Sequence, residues 1–422
     1  MARYKEGRRE FPPFGVLYLA PVISNAGHEV EIIKVTPENT ELDLRSFDAV
    51  GFSLASSATY GFMLKARQGS QFRDDALILV GGVHCNFYPE MSLIDFNADV
   101  ASYGESEETI LQMLDRVNGR WFTGIDGVVW RKPDDTIVKE KPVNLIRDID
   151  RLPLPARHLL PAGDILLTDR LAGTDMRMAH VMFSRGCPFP CTFCAAGQTR
   201  IQYRSGASAR HELKHLIDNY GIEGFAIVDD NFVVARQKVM DICRNISDLS
   251  LKWSALSRVD TVDEELLGHM AAAGCIEIKF GMESGSERLL RDMRKNTTQD
   301  KIAQAIDMAN AVGIEAKVFV IHGYPGENTE TTQETIDLLD RLGSKVSRVS
   351  LFRFVPLPGT QIYDQPSIRG THHRSDWDGN WSKFHIHHNT LQWWGSEEDW
   401  QELESSYGML HDFVEDHWNK QG

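Results

Sequence analysis

Two rhythms of apolar and polar residues divide this chain. From residue 13 to about 150, short apolar runs alternate with stretches of helical period. The pattern predicts a helix over 14–26 closed by Gly27, a strand over 29–33, and two buried strands, 49–53 and 77–82, that end in small residues. The segment 99–105 and a helix over 107–117 complete an open, doubly wound sheet. Residues 148–162 hold Pro153, Pro155 and Pro161 and predict an extended linker. Beyond it strands and helices alternate regularly, with strands at about 181–185, 224–229, 251–257, 275–281, 315–321 and 348–355. Helices between them stop at Gly221, Gly274 and Gly313. The expected class is therefore α/β: a Rossmann-like domain over 1–147, a linker over 148–168, a partial (β/α)6 barrel over 169–355 and an extension over 356–422. The extension is rich in Trp, His and acidic residues, with a terminal helix expected over 397–417.

Composition narrows the classes. A chain of 422 residues, 42% hydrophobic and 25% charged, reads as globular with more than one domain. No stretch approaches the roughly 18 apolar residues that span a bilayer, and the charged N-terminus has no apolar core behind it, so neither membrane nor secretion is expected. The formal charge of −15 disfavours nucleic acid. An acidic surface keeps a protein soluble; its sharper reading is attraction of a cationic substrate. Six cysteines argue for a reducing cytoplasm over a disulfide framework. Cys85, Cys243 and Cys275 are scattered and read as small buried residues.

The other three, Cys187, Cys191 and Cys194, fall in the run Ser184-Arg185-Gly186-Cys187-Pro188-Phe189-Pro190-Cys191-Thr192-Phe193-Cys194. Three thiolates in a short irregular loop can converge on one face of a four-iron, four-sulfur cluster, leaving the fourth iron open to a small molecule. A structural zinc site would want a fourth ligand nearby, and the nearest candidate, His180, stands seven residues before the first cysteine. The run resembles the signature of the radical S-adenosylmethionine (SAM) enzymes. Glu283-Ser284-Gly285-Ser286 and Gly323-Tyr324-Pro325-Gly326-Glu327 resemble that family's later motifs, and the likeness covers about residues 13–360. It implies SAM chelated at the open iron, an external one-electron reductant of flavodoxin or ferredoxin type, and reductive cleavage to a 5'-deoxyadenosyl radical. The N-terminal pattern, with Gly27-His28-Glu29-Val30, Val80-Gly81-Gly82 and Gly104-Glu105-Ser106-Glu107, resembles the cobalamin-binding module of one large subfamily. Two departures are visible: only about a dozen polar residues precede the first helix, and no Asp-x-His-x-x-Gly is present to ligate cobalt.

In parallel strand–helix folds, functional groups collect at the carboxyl ends of strands. The resemblance places Phe193 near the adenine of SAM and Asp230, in preference to Asp229, on its amino group. Arg258 matches the family's position for gripping the carboxylate with two parallel hydrogen bonds; a plain surface salt bridge is the alternative. Glu283 suits the ribose hydroxyls, with Ser284 and Gly323 completing the cofactor-binding set. His322, at a strand end, is a candidate for proton transfer or substrate contact, although lone histidines are usually structural. Tyr203 and Arg204 face the site or pack at a helix entry. The crowded stretch with His372, His373, Asp376, Trp377, Trp381, His385, His387 and His388 reads as a lid over the barrel mouth, Asp376 and His385 bonding a polar substrate. The shortened module, the missing cobalt motif and the acidic charge favour diol dehydration of an aminoglycoside-type aminosugar in antibiotic biosynthesis, with cobalamin not required. The alternatives are a cobalamin-dependent methyltransferase and a non-catalytic iron–sulfur scaffold.

Overall fold

The structure is a computed structural model that describes residues 12–171, 174–386 and 390–419. The chain forms two compact units, one built from residues 11–162 with 378–385, the other from 163–377 with 386–422. Among the described residues no helix is long and apolar enough to cross a membrane.

In the first unit, helix α1 (Phe14–Asn25) is followed by strands β1 (Ala49–Ser53), β2 (Leu77–Gly81) and β3 (Val100–Ser102), which pair in parallel in that order. An antiparallel hairpin, β4 (Val128–Arg131) and β5 (Ile137–Lys139), extends the sheet beyond β3. The hairpin is not anticipated from the sequence. The strand expected over 29–33 pairs with nothing among the described residues, and the helix expected over 107–117 shrinks to Ile110–Leu114. The expected linker is packed instead: Ile149, Ala156 and Arg157 are buried, Ala156 N–H donates to Leu17 O, and the Arg157 guanidinium lies over the Phe14 ring.

In the second unit, six parallel strands form the partial barrel: β7 (Thr174–Val181), β8 (Gly224–Ile227), β9 (Lys252–Ser257), β10 (Cys275–Glu283), β11 (Glu315–His322) and β12 (Val346–Arg353). Strand β6 (Leu167–Leu171) is added antiparallel beside β7. Helices α2 (Gly206–Tyr220), α3 (Arg236–Ile246), α4 (Glu264–Ala272), α5 (Gln299–Ala311) and α6 (Thr329–Leu342) alternate with the strands. Ser205, Asp263, Thr298 and Asn328 cap four of them by accepting backbone N–H bonds. The helix-facing side of the sheet is apolar; Ile227, Trp253, Ile278, Phe280, Val318 and Val320 bury there against Leu213, Val239, Leu266 and Ile302. Alternate residues of the same strands face the concave side, as the two-residue period requires. The terminal helix α7 (Glu397–Val414) starts at a Ser396–Asp399 capping box and ends earlier than expected, in a π turn over Glu415–Asn419.

Residues 378–385 belong to the first unit, contrary to the expectation of a lid on the barrel. Trp381 is the reason: it is buried against Tyr60, His84, Tyr88 and Phe384, ring centroids 4.6 to 5.9 Å away. Truncating a buried tryptophan costs about 3–5 kcal/mol. Trp381→Ala is therefore expected to lower the unfolding free energy from denaturant titration by that amount, although residue 381 lies far along the chain from the sheet it stabilises; an unchanged unfolding free energy contradicts the assignment.

Candidate functional site

After β7 the chain is pinned before it turns. Asp229, buried at the end of β8, accepts from Phe183 N–H (2.9 Å) and Ser184 Oγ–H (2.6 Å). Burial raises its pKa to about 7, against those hydrogen bonds. Gly186 then turns with φ +84°, where a Cβ would lie 2.5 Å from Arg200 O. Cys187 N–H donates to Thr199 Oγ1 (2.8 Å), Gln198 N–H to Phe189 O (3.0 Å) and Cys194 N–H to Cys191 O (3.2 Å), so the loop closes on itself. Its centre is braced through Thr192, whose hydroxyl pairs with Tyr324 Oη at 2.8 Å and whose N–H donates to Met293 O.

Cys187 and Cys191 are buried and Cys194 is half-buried. Burial pushes the Cys191 thiol up, opposed by the charges of Lys295 and Arg258. Burial also pushes Cys194 up to about 11, with Cys191, Asp230 and Cys187 adding to the rise. The thiols therefore share one electrostatic neighbourhood that holds cations, and Arg258 Nη1 donates to Cys191 Sγ at 3.3 Å. Soft thiolates with a hydrogen-bonding, positively charged second layer fit an iron–sulfur cluster.

The remaining predicted residues divide. Asp230 is exposed, yet the surrounding protein raises its pKa against a bond from Gly186 N–H. Phe193 is half-buried between two of the cysteines. Arg258 is largely committed: it grips both oxygens of Asp260 (2.8 and 2.7 Å), donates to Lys295 O and lies 4.1 Å over the Phe189 ring. Arg258 is 5% exposed and so is no surface salt bridge, and all three of its guanidinium nitrogens are engaged by protein groups. Glu283 adopts φ +64° and forms a buried ion pair with Lys295 at 2.7 Å through one carboxylate oxygen. Left-handed backbone at a non-glycine residue marks a position that its surroundings enforce. Lys295 is absent from the sequence-derived set; no motif flags it, since its role depends on a partner twelve residues away. Ser284 Oγ accepts from Ser286 N–H and pairs with Thr335, so it ties the turn to α6. Gly323, at φ +95°, donates to Glu327 and accepts from Trp394 Nε1 at 2.8 Å.

Four assignments change. His322 faces the helix layer: it alternates with Val318 and Val320, meets Ser406 Oγ (3.1 Å) and Thr332 Oγ1 (3.3 Å), and burial lowers its pKa to about 3. Tyr203 Oη donates to Phe232 O (2.6 Å) and accepts from Val234 and Ala235 N–H, which makes it a clamp on the loop after β8. Asp376 is exposed and accepts from Gly370 N–H within its own turn, while His385 falls in the first unit with Trp381. His387 and His388 lie outside the described residues.

In the first unit, the parallel strands end in Ser53, Gly81 and Ser102, aligned across the sheet. A Cβ on Gly81 would sit 3.7 Å from Ser102 Cβ, one on Gly51 would meet nothing within 4 Å, and Gly82, at φ +101°, packs on the Leu54 backbone. Small residues at three neighbouring carboxyl ends keep uncrowded the edge where open α/β sheets bind ligands, a small-residue trough.

Two outcomes follow from this geometry. Cys191→Ala is expected to lose most of the cluster iron, measured as iron and sulfide per chain after anaerobic reconstitution; full retention refutes the site. His322 is held neutral, with a folded pKa near 3 against 6.5 unfolded. Its contribution to stability is complete above pH 6.5 and is lost as pH falls toward 3, by up to about 1.4 kcal/mol per pH unit. Denaturant midpoints of His322→Gln should show a shallower acid limb than wild type; an identical limb contradicts the assignment.

Comparison with known proteins places these two units. The radical SAM superfamily matches residues 181–339, and the B12 binding domain matches residues 6–114. An uncharacterised methyltransferase of Pyrococcus horikoshii is 30% identical over 367 residues, covering 84% of this chain and 78% of the relative. Cytidylyl-2-hydroxyethylphosphonate methyltransferase of Streptomyces wedmorensis is 26% identical over 415 residues, covering 83% and 77%. An anaerobic magnesium-protoporphyrin IX monomethyl ester cyclase of Rubrivivax gelatinosus is 26% identical over 376 residues, covering 84% and 66%. The structure of the radical SAM methyltransferase TsrM from Kitasatospora setae, with cobalamin and a [4Fe-4S] cluster bound, superposes with a TM-score of 0.68 at 16% identity, over 96% of this chain and 87% of that one. The methyltransferase relatives overturn the preference for a dehydratase. The chain belongs to the radical SAM superfamily, in the branch that carries a B12-binding domain together with its radical SAM domain.

Proposed function

We propose that the protein is a cobalamin-dependent radical SAM methyltransferase acting on a polar small molecule. The observation that carries this reading is that relatives named as methyltransferases align over 84% and 83% of the chain, too much to leave out either unit. When bound, the cluster supplies an electron to SAM and cobalamin carries a methyl group. The chain's own residues hold and screen these groups. Cys187, Cys191 and Cys194 ligate the cluster, and Arg258 and Lys295 supply positive charge beside it. Asp230, the carboxylate that remains open beside the cysteines, suits the ammonium of SAM, and Phe193 suits its adenine. The Gly323 turn, fixed by Glu327 and Trp394, walls the same rim.

In the first unit, Ser53, Gly81 and Ser102 leave the strand ends bare, and Gly82 keeps its turn close to Leu54. These positions suit the close backbone approach of cobalamin, with no histidine required from the motif that the sequence lacks. Electrons enter from an external reductant of flavodoxin or ferredoxin type.

Anaerobic purification with added cobalamin should give about one cobalamin per chain, read from its visible bands, and Gly81→Trp should abolish retention while leaving the iron content unchanged. Wild-type protein that retains no cobalamin, or a Gly81→Trp variant that retains it fully, contradicts the reading.

A further inference from the structure

Arg258 commits every guanidinium nitrogen to the protein itself. It follows β9 directly, and its side chain is buried against the cluster loop. Asp260 takes Nε and Nη2 as a bidentate pair at 2.8 and 2.7 Å, Nη2 donates also to Lys295 O, and Nη1 donates to Cys191 Sγ at 3.3 Å. Arg258 Cζ lies 4.1 Å from the ring centroid of Phe189, which belongs to the same loop as the cysteines. Burial works against the charge, yet Asp260 and the thiols of Cys191 and Cys187 outweigh it, so the guanidinium pKa is raised. A cation fixed this firmly on a thiol suits a permanent task better than the capture of a ligand that comes and goes.

When the cysteines ligate a cluster, electron uptake adds one negative charge that spreads onto their sulfurs. The potential of an iron–sulfur cluster follows its net charge, the hydrogen bonds to its sulfurs and its exposure to water. A guanidinium that donates to one sulfur therefore stabilises the reduced form more than the oxidised form. Hydrogen bonds with an ionised partner are about twice as strong as neutral ones. Water cannot easily replace this one, because the Arg258 side chain is 7% exposed.

Asp260 works in the opposite direction. Its carboxylate approaches the guanidinium from the edge opposite Nη1, so it is the more distant charge from Cys191. It is also 21% exposed, and water screens it more than it screens the cation. Lys295 repeats the arrangement with Glu283: at Cys191 the ammonium counts for more than the carboxylate paired with it. Two ion pairs thus turn their positive ends toward one sulfur.

We infer that Arg258 raises the reduction potential of the cluster by donating to the Cys191 sulfur, and that Asp260 limits the rise. A higher potential lets a weaker external reductant supply the electron, and it leaves less driving force for the cleavage of SAM. Arg258 and Asp260 set the balance between these two demands, acting through the cysteine rather than through SAM. The inference rests on the proposed function only in taking Cys187, Cys191 and Cys194 as cluster ligands.

The test is a redox titration of the anaerobically reconstituted full chain without SAM, with titanium(III) citrate as the one-electron reductant. Electron paramagnetic resonance of the reduced cluster gives the midpoint. Poised at the wild-type midpoint, Arg258→Gln is expected to show a reduced-to-oxidised ratio about tenfold lower, a fall of about 59 mV for one electron. Asp260→Asn removes the counter-charge while keeping a side-chain oxygen for the guanidinium. It is expected to shift the ratio the other way, by a smaller factor because the carboxylate is part-exposed. Iron and sulfide per chain report whether each variant holds its cluster; a residue that only braces the loop lowers that content and leaves the midpoint of the loaded fraction unmoved. Should Arg258→Gln take up no iron, the direction of the Asp260→Asn shift decides alone. Wild-type midpoints in the loaded variants, or a fall in Asp260→Asn, overturn the inference. Wild-type protein that takes up no cluster overturns both this inference and the proposed function. The titration needs neither cobalamin nor methyl transfer, so midpoints that shift as expected in a protein that retains no cobalamin keep the inference and lose the methyltransferase reading.

Discussion

A buried thiol that is to ligate iron needs positive charge beside it, and Lys295 and Arg258 supply it to Cys191. Arg258 touches the Cys191 sulfur, both oxygens of Asp260, the Lys295 carbonyl and the Phe189 ring. The cluster loop, the turn after β9 and the segment around Lys295 thus meet at a single cation. Lys295 adds a second charge, held by Glu283 from a backbone conformation that few residues adopt. Loss of either partner from that ion pair leaves the other charge buried, a situation worth about 3–5 kcal/mol. The rim is consequently stiff before any cofactor binds, which is what positioning a reactive centre requires.

Charge inside the barrel is paired: Lys295 with Glu283 near the strand ends, and Lys279 and Arg348 with Glu277 below them. A single net charge conceals this order, because it is dominated by exposed groups that water screens. Length is likewise divided unevenly: the segment around Trp381 leaves the barrel's sequence neighbourhood and supports the first unit through an aromatic cluster.

Much of the barrel was legible because its strands bury one face fully and its helices stop at glycines in left-handed conformation, as at Gly221, Gly274 and Gly313. The cysteine loop was legible for a different reason: its chemistry depends on spacing within eight residues. What the sequence concealed depends on partners far apart. His322 looked available at a strand end, yet strand alternation turns it toward α6 and α7, where Thr332 and Ser406 receive it. The proline-rich stretch looked like a linker, since nothing local reveals that Arg157 packs on Phe14 or that Ala156 bonds Leu17. The shortened N-terminal pattern weighed against cobalamin, whereas the trough depends on the ends of three strands that are all present. Lys279 and Arg348 are unremarkable singly; only the strand register brings both to Glu277.

The central claim is that three cysteines hold a four-iron, four-sulfur cluster with one iron open to SAM. Electron paramagnetic resonance of the reduced, reconstituted protein, recorded with and without SAM, tests it most directly. The account predicts a [4Fe-4S]+ signal whose g-values shift when SAM is added, and no such signal in Cys187→Ala. A spectrum that SAM leaves unchanged, or one that survives loss of Cys187, contradicts it.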